Sequence, residues 1–182
     1  DGFVVRDGEF SYDAKKYRFS ASGKNLQASF DYYATGPAYK GKVASDALEV
    51  QADGLPRLPL NAAVTVEVEK DAVAFPALRL VSGPSIVTGT GRITSFQKPT
   101  GEFALDVETD LTEADRLFHA PAGRGKIFTS GKFAWLGGTR VRYEGDVRGA
   151  ALDVTVAGVR VTPVSETGRV VATEKVLNMA AL

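Results

Sequence analysis

The chain has 182 residues, 44% apolar and 24% charged, with 22 basic and 22 acidic side chains and no cysteine. Such a balance fits one globular unit, or one long stretch of a repeat array, and argues against disorder. Charge is spread evenly, with 10 basic and 11 acidic side chains in residues 1–91 and 12 and 11 in residues 92–182. A nucleic-acid interface is therefore not expected, and no stretch clusters Lys and Arg against an anionic membrane. Disulfides, thiolate metal sites and cysteine nucleophiles are excluded.

The opening "DGFVVRDGEF" has neither a basic n-region nor a long apolar h-region, so it does not read as a signal peptide. No stretch reaches the roughly 20 apolar residues that span a bilayer as a helix. Both ends read as cut from something longer, which would place any targeting segment or anchor elsewhere.

Along the chain, period-two alternation dominates. "YKGKVASDALEV", Tyr39 to Val50, carries Leu48 and Val50 toward its end. "DGLPRLPL" follows, and its Pro56 and Pro59 lack ladder donors. This predicts a joint near 54–60 rather than a central strand. "AAVTVEVEK" sets Val64, Val66 and Val68 against Thr65, Glu67 and Glu69. "EFALDVETD" sets Phe103, Leu105 and Val107 against Asp106, Glu108 and Asp110. One segment breaks the rhythm: "DLTEADRLFHAP" predicts a short helix near 111–119, capped by Thr112 and ended by Pro121. "YEGDVRGAALDV" then repeats the first phrase 104 residues later, without a gap. Leu152, Val154 and Val156 alternate there with Asp153 and Thr155.

Turn signals at Asp7-Gly8, Ser22-Gly23, Gly36-Pro37, Asp53-Gly54, Gly83-Pro84, Lys98-Pro99, Gly137-Gly138 and Pro163 predict about 13 to 16 short strands. Alternation between greasy and wet positions favours antiparallel pairing. The expected fold is all-β: one continuous unit over residues 1–182, built of repeats that share an apolar face.

Few residues offer chemistry. His119 is the only histidine, so neither a catalytic triad nor a two-histidine metal site forms within the chain. Asp106, Glu108 and Asp110 read as the solvated side of a strand. Gly83, Gly89 and Gly91 lack the Lys-Ser/Thr ending of a phosphate loop. Ser82 and Ser85 are not in a nucleophile elbow. Phe30, Tyr32, Tyr33, Tyr39, Trp135 and Tyr143 read as core or sheet-margin aromatics before they read as a sugar platform, with Tyr17 among those seeking one polar contact. No enzyme activity, cofactor or metal is expected.

Taken together, "FVVRDGEFSYD", the two Tyr-x-Gly phrases, "SIVTGTGRI" and "FALDVETDLTEADRLFHAPAGRGKIFTSGKF" resemble the β-rich repeat region of AsmA-like proteins, of the translocation and assembly module (TamB) type. The resemblance covers most of residues 3–160. It implies an elongated, curved, trough-like sheet in the periplasm of a diderm bacterium, with any inner-membrane anchor outside this segment. It also implies a non-enzymatic role in intermembrane lipid transport or outer-membrane biogenesis, with phospholipid acyl chains as ligand and an outer-membrane protein as possible partner. The hydrophobic groove would be lined by Leu48, Val50, Val64, Val66, Val68, Phe103, Leu105, Val107, Leu152, Val154 and Val156. The alternatives are a closed β-barrel or sandwich that binds a hydrophobic ligand or glycan, and a purely structural β-scaffold.

Overall fold

A computed structural model describes residues 2–15, 19–36, 38–52, 56–118, 123–156, 159–173 and 177–181. Eleven strands form one antiparallel sheet in strict sequence order. They are β1 (Gly2–Ala14), β2 (Phe19–Tyr33), β3 (Ala38–Ala52), β4 (Leu58–Val68), β5 (Ala72–Ser82), β6 (Ser85–Thr94), β7 (Thr100–Asp110), β8 (Gly123–Trp135), β9 (Val141–Val156), β10 (Val159–Thr173) and β11 (Leu177–Ala181). Helix α1 (Leu111–Phe118) links β7 to β8. β1 and β11 do not pair, so the sheet is open and not the closed barrel considered as an alternative. With neighbours about 4.8 Å apart, the stack is about 50 Å long.

The strands are fewer and longer than the turn signals predict. Asp7-Gly8 is an irregularity inside β1, with Asp7 at φ 52°. Ser22-Gly23 lies inside β2, paired with Ser11 and Phe10. Pro163 falls within β10. Glycine is used at these positions for bulges and close side-chain approach rather than for reversal. The turns at Gly83-Pro84, Pro99 and Gly137-Gly138 occur where expected, whereas Asp53 and Gly54 lie outside the described residues.

Pro59 lies inside β4, opposite Glu49 of β3. A strand was not expected there, but the ladder to β5 begins only at Asn61. Pro59 therefore needs no donor on that side. The sheet runs on through this region from β3 to β5.

Helix α1 is capped by Asp110, not by Thr112. Asp110 Oδ1 accepts from the backbone N–H of Glu113 at 2.7 Å. The Thr112 hydroxyl instead donates to the Gly123 carbonyl. Glu113 stands in the first turn, where a carboxylate suits the dipole, and pairs with Arg116. Leu111 is buried. His119 and Pro121 lie outside the described residues, as do Tyr17 and the side chains of Leu117 and Phe118.

The core is thin. No large side chain among the described residues is fully buried. The surface is 12069 Å², whereas a compact monomer of this mass would expose about 8,500 Å². A single layer explains both facts: among the described residues there is one sheet, and helix α1, the one element outside it, lies against β7 and β8.

A continuous apolar face as the candidate functional site

Residues opposite one another in an antiparallel ladder project to the same side. The pairings therefore show which side chains share a face. Val43, Val64, Leu78, Gly89, Leu105 and Gly131 form one row across β3 to β8. A second row runs Tyr39, Val68, Val73, Ile93, Gly101, Trp135 and Val141. A third holds Phe75, Gly91, Phe103, Phe133 and Tyr143. All three rows lie on one face.

The candidate groove residues gather on this face. Leu48 stands opposite Leu60, Val50 opposite Leu58, Val66 opposite Gly41 and Val107 opposite Val87. Leu152 packs across Gly149, which belongs to the same side. Val154 is paired with Gly123 and Val161 through the backbone, while the side chains of Val154 and Val156 lie outside those described. Strands β5 and β6 join the groups on β4 and β7 into one surface.

Some members of this surface are not evident in the sequence. Phe75 and Leu78 are three residues apart, so strict alternation would put them on opposite faces. The β5 ladder shifts register between them, beside Pro76, and both face the apolar side. The same device operates in the repeated phrase. Val43 and Leu48 are five apart, and the β3 ladder shifts between Ser45 and Leu48. In the second copy the shift against β8 falls between Ala150 and Asp153, with Ala151 at φ 51°. Each bulge restores the apolar phase for the second half of its strand.

Glycines open gaps on this face, and larger side chains fill them. Phe30 lies over Gly41, Leu105 over Gly89, Phe103 over Gly91 and Tyr143 over both Gly131 and Gly145. The rings also meet one another. Phe75 and Phe103 centroids are 5.9 Å apart, and Phe103 and Phe133 are 6.1 Å apart. Phe3 stacks on Phe30 at 5.0 Å, and Tyr32 meets Tyr39 at 5.2 Å. Aromatic side chains laid over cross-strand glycines stabilise a sheet and pin its register.

Two buried or half-buried polar groups on this side are satisfied internally. The Tyr143 hydroxyl meets Thr129 Oγ1 at 2.6 Å, and Thr129 Oγ1 donates to the Asp146 carbonyl at 2.9 Å. Ser45 is buried and donates to the Lys24 carbonyl at 2.6 Å.

The opposite face carries the charge. Lys40 pairs with Glu67 at 3.1 Å, and Arg92 holds Glu69 through two contacts at 2.9 and 2.6 Å. Lys126 pairs with Glu108, and Glu144 takes both Arg142 and Arg169. The hydrogen bond from Arg92 lowers the pKa of Glu69, and those from Arg169 and Arg142 lower that of Glu144. Arg148 stacks over Phe128 at 5.0 Å. A hollow of about 680 Å³ on this side is lined by both signs of charge, including Arg79, Asp106, Asp146 and Arg148. It is wide and shallow. Among the described residues, no three His, Asp or Glu side chains are placed to hold a metal ion.

No protein family, curated protein or solved structure matches the chain.

Proposed function

We propose that this chain is a segment of an envelope-spanning, lipid-conducting or outer-membrane-assembly protein, and that its apolar face shields phospholipid acyl chains. The carrying observation is the continuous row from Val43 through Val64, Leu78 and Leu105, on a sheet with no second layer. The resemblance to AsmA-like proteins agrees with it. On this reading the protein works in the periplasm of a diderm bacterium, beside an outer-membrane protein, and performs no covalent chemistry.

Acyl chains suit such a face. At about 25 cal/mol per Å² of apolar surface, covering part of one chain contributes several kcal/mol. The filled glycine gaps keep the surface even from strand to strand. An even surface lacks a deep minimum along its length, so a chain held there still slides. The charged face keeps the other side wetted.

Photocrosslinking tests the proposal through the two-sidedness of one strand. A photoreactive residue at Leu105 in the full chain, expressed in a diderm bacterium, is expected to capture phospholipid. The same residue at Asp106, on the opposite face, is expected to capture none. Equal capture at the two positions, or none at either, overturns the reading and leaves a structural scaffold.

A further inference from the structure

Exposed apolar side chains recur along one rim of the sheet. In this meander the turns β2–β3, β4–β5, β6–β7 and β8–β9 all fall on one rim of the sheet. Five of the nine exposed large apolar residues lie in these turns or within two residues of them: Tyr32, Tyr33, Tyr39, Phe96 and Leu136. Phe96, inside the β6–β7 turn, is 52% exposed, and Leu136, at the base of the β8–β9 turn, is 46% exposed.

Hydrogen bonds shape these turns. The backbone N–H groups of Ser95 and Phe96 donate to the carbonyl and the carboxylate of Asp71, each at 2.9 Å. The β6–β7 turn is thus tied to the β4–β5 turn. In the β8–β9 turn, Trp135 Nε1 donates to the Gly138 carbonyl at 2.9 Å, and Arg140 donates to the Leu136 carbonyl at 2.8 Å.

Cations accompany them. Lys70, Lys98 and Arg140 belong to three separate turns of this rim, and among the described residues no carboxylate forms an ion pair with any of them. The carboxylates in these turns are Asp71, occupied by the Phe96 N–H, and Glu69, paired with Arg92. No run of sequence is basic; the meander assembles the row.

We infer that this rim docks on an anionic phospholipid bilayer, with Phe96 and Leu136 in the headgroup region and Lys70, Lys98 and Arg140 at the phosphates. Phe96 and Leu136 stand on alternate hairpins, about 10 Å apart across two strand spacings. Separate apolar side chains, with tyrosines further along the same rim at the β2–β3 turn, suit a fluid interface, which closes around each one. A protein partner would more typically meet a contiguous patch. Unpaired cations near the surface add attraction to anionic lipid. The inference goes beyond acyl-chain shielding, which uses the face rather than the rim.

Vesicle flotation of the full chain tests it. The chain is expected to float with phosphatidylcholine vesicles containing one part in three phosphatidylglycerol, and more weakly with phosphatidylcholine alone. Phe96→Asp with Leu136→Asp is expected to weaken flotation at least about tenfold. Lys70→Glu with Lys98→Glu is expected to remove the preference for phosphatidylglycerol. Phe96→Ser and Leu136→Ser, read singly, serve if the double variant does not fold. Lipid capture at Leu105 is expected to persist in the rim variants, which separates failure here from failure of the acyl-chain reading. The inference is overturned if the chain floats with neither vesicle, or if rim variants float like the parent. It is also overturned if the rim instead joins two copies, seen as a dimer that the rim variants dissolve without any vesicle binding.

Discussion

Phe75 and Phe103 sit on strands that are not neighbours, yet their ring centroids are 5.9 Å apart. Gly91 on the intervening strand makes this possible, since it stands opposite both residues and has no side chain to separate them. A methyl group on Gly91 would overlap Cδ1 of Phe103. Gly91→Ala is therefore expected to cost roughly 1–3 kcal/mol by overpacking. Gly36→Ala, in open space, is expected to change stability by less than about 0.5 kcal/mol. Urea unfolding of both variants checks the pair, and equal losses would contradict the role given to Gly91.

The Tyr143 hydroxyl belongs to a short chain that ends on the Asp146 carbonyl. Tyr143→Phe is expected to cost about 0.5–1.5 kcal/mol. Thr129→Val should cost at least as much, because it also removes the bond to Asp146. In a double-mutant cycle the losses should be less than additive. Additive losses would show that the two hydroxyls do not act together.

An uncovered apolar face should be cheap to truncate. Leu105 is half-buried, in a sheet that has no second sheet layer among the described residues. Leu105→Ala is expected to cost about 1–2 kcal/mol, below the roughly 2–5 kcal/mol of a closed core. Added phospholipid should raise the unfolding midpoint of the parent more than that of the variant. A loss above about 3 kcal/mol without lipid would mean that the face is covered in solution.

Acid should weaken the sheet through its paired carboxylates. The pKa values of Glu69 and Glu144 are lowered by their arginine partners. Their stabilisation is present above the unfolded carboxylate value and is lost as pH falls through the lowered folded value. Both pairs are solvent-exposed, so the effect is expected to be modest and to shrink with salt. The urea midpoint measured downward from neutral pH should fall, and Glu144→Gln should flatten that fall. A midpoint that rises on acidification would contradict the assignment.

Much of this architecture could be read from residue order. Strict alternation in "AAVTVEVEK" and "EFALDVETD" led to β4 and β7 and to the correct face for Val64, Val66, Val68, Phe103, Leu105 and Val107. Odd offsets hid the remainder. Phe75 and Leu78 look mismatched until the bulge beside Pro76 is known, and bulges depend on partner strands. Asp7-Gly8 and Ser22-Gly23 resemble turns because local chemistry does not distinguish a reversal from a bulge. The rim was invisible for a different reason. Lys70, Lys98 and Arg140 are far apart in sequence, and only the alternation of hairpin ends sets them along one edge.

The two Tyr-x-Gly phrases are less alike in space than on paper. Tyr143 reclines over its own Gly145, but Gly41 is covered by Phe30 from the preceding strand, while Tyr39 meets Tyr32. What the copies share is the place where the ladder slips and the phase it restores.

The unbroken order of strands also governs how the molecule is made and taken apart. Each strand pairs with the segment just before it and just after it. No strand waits for a distant one, so loop-closure entropy stays small at every step and assembly can advance as the chain emerges. Tension applied to the two ends would meet no interlock, and the sheet should peel away one hairpin at a time, like a zip.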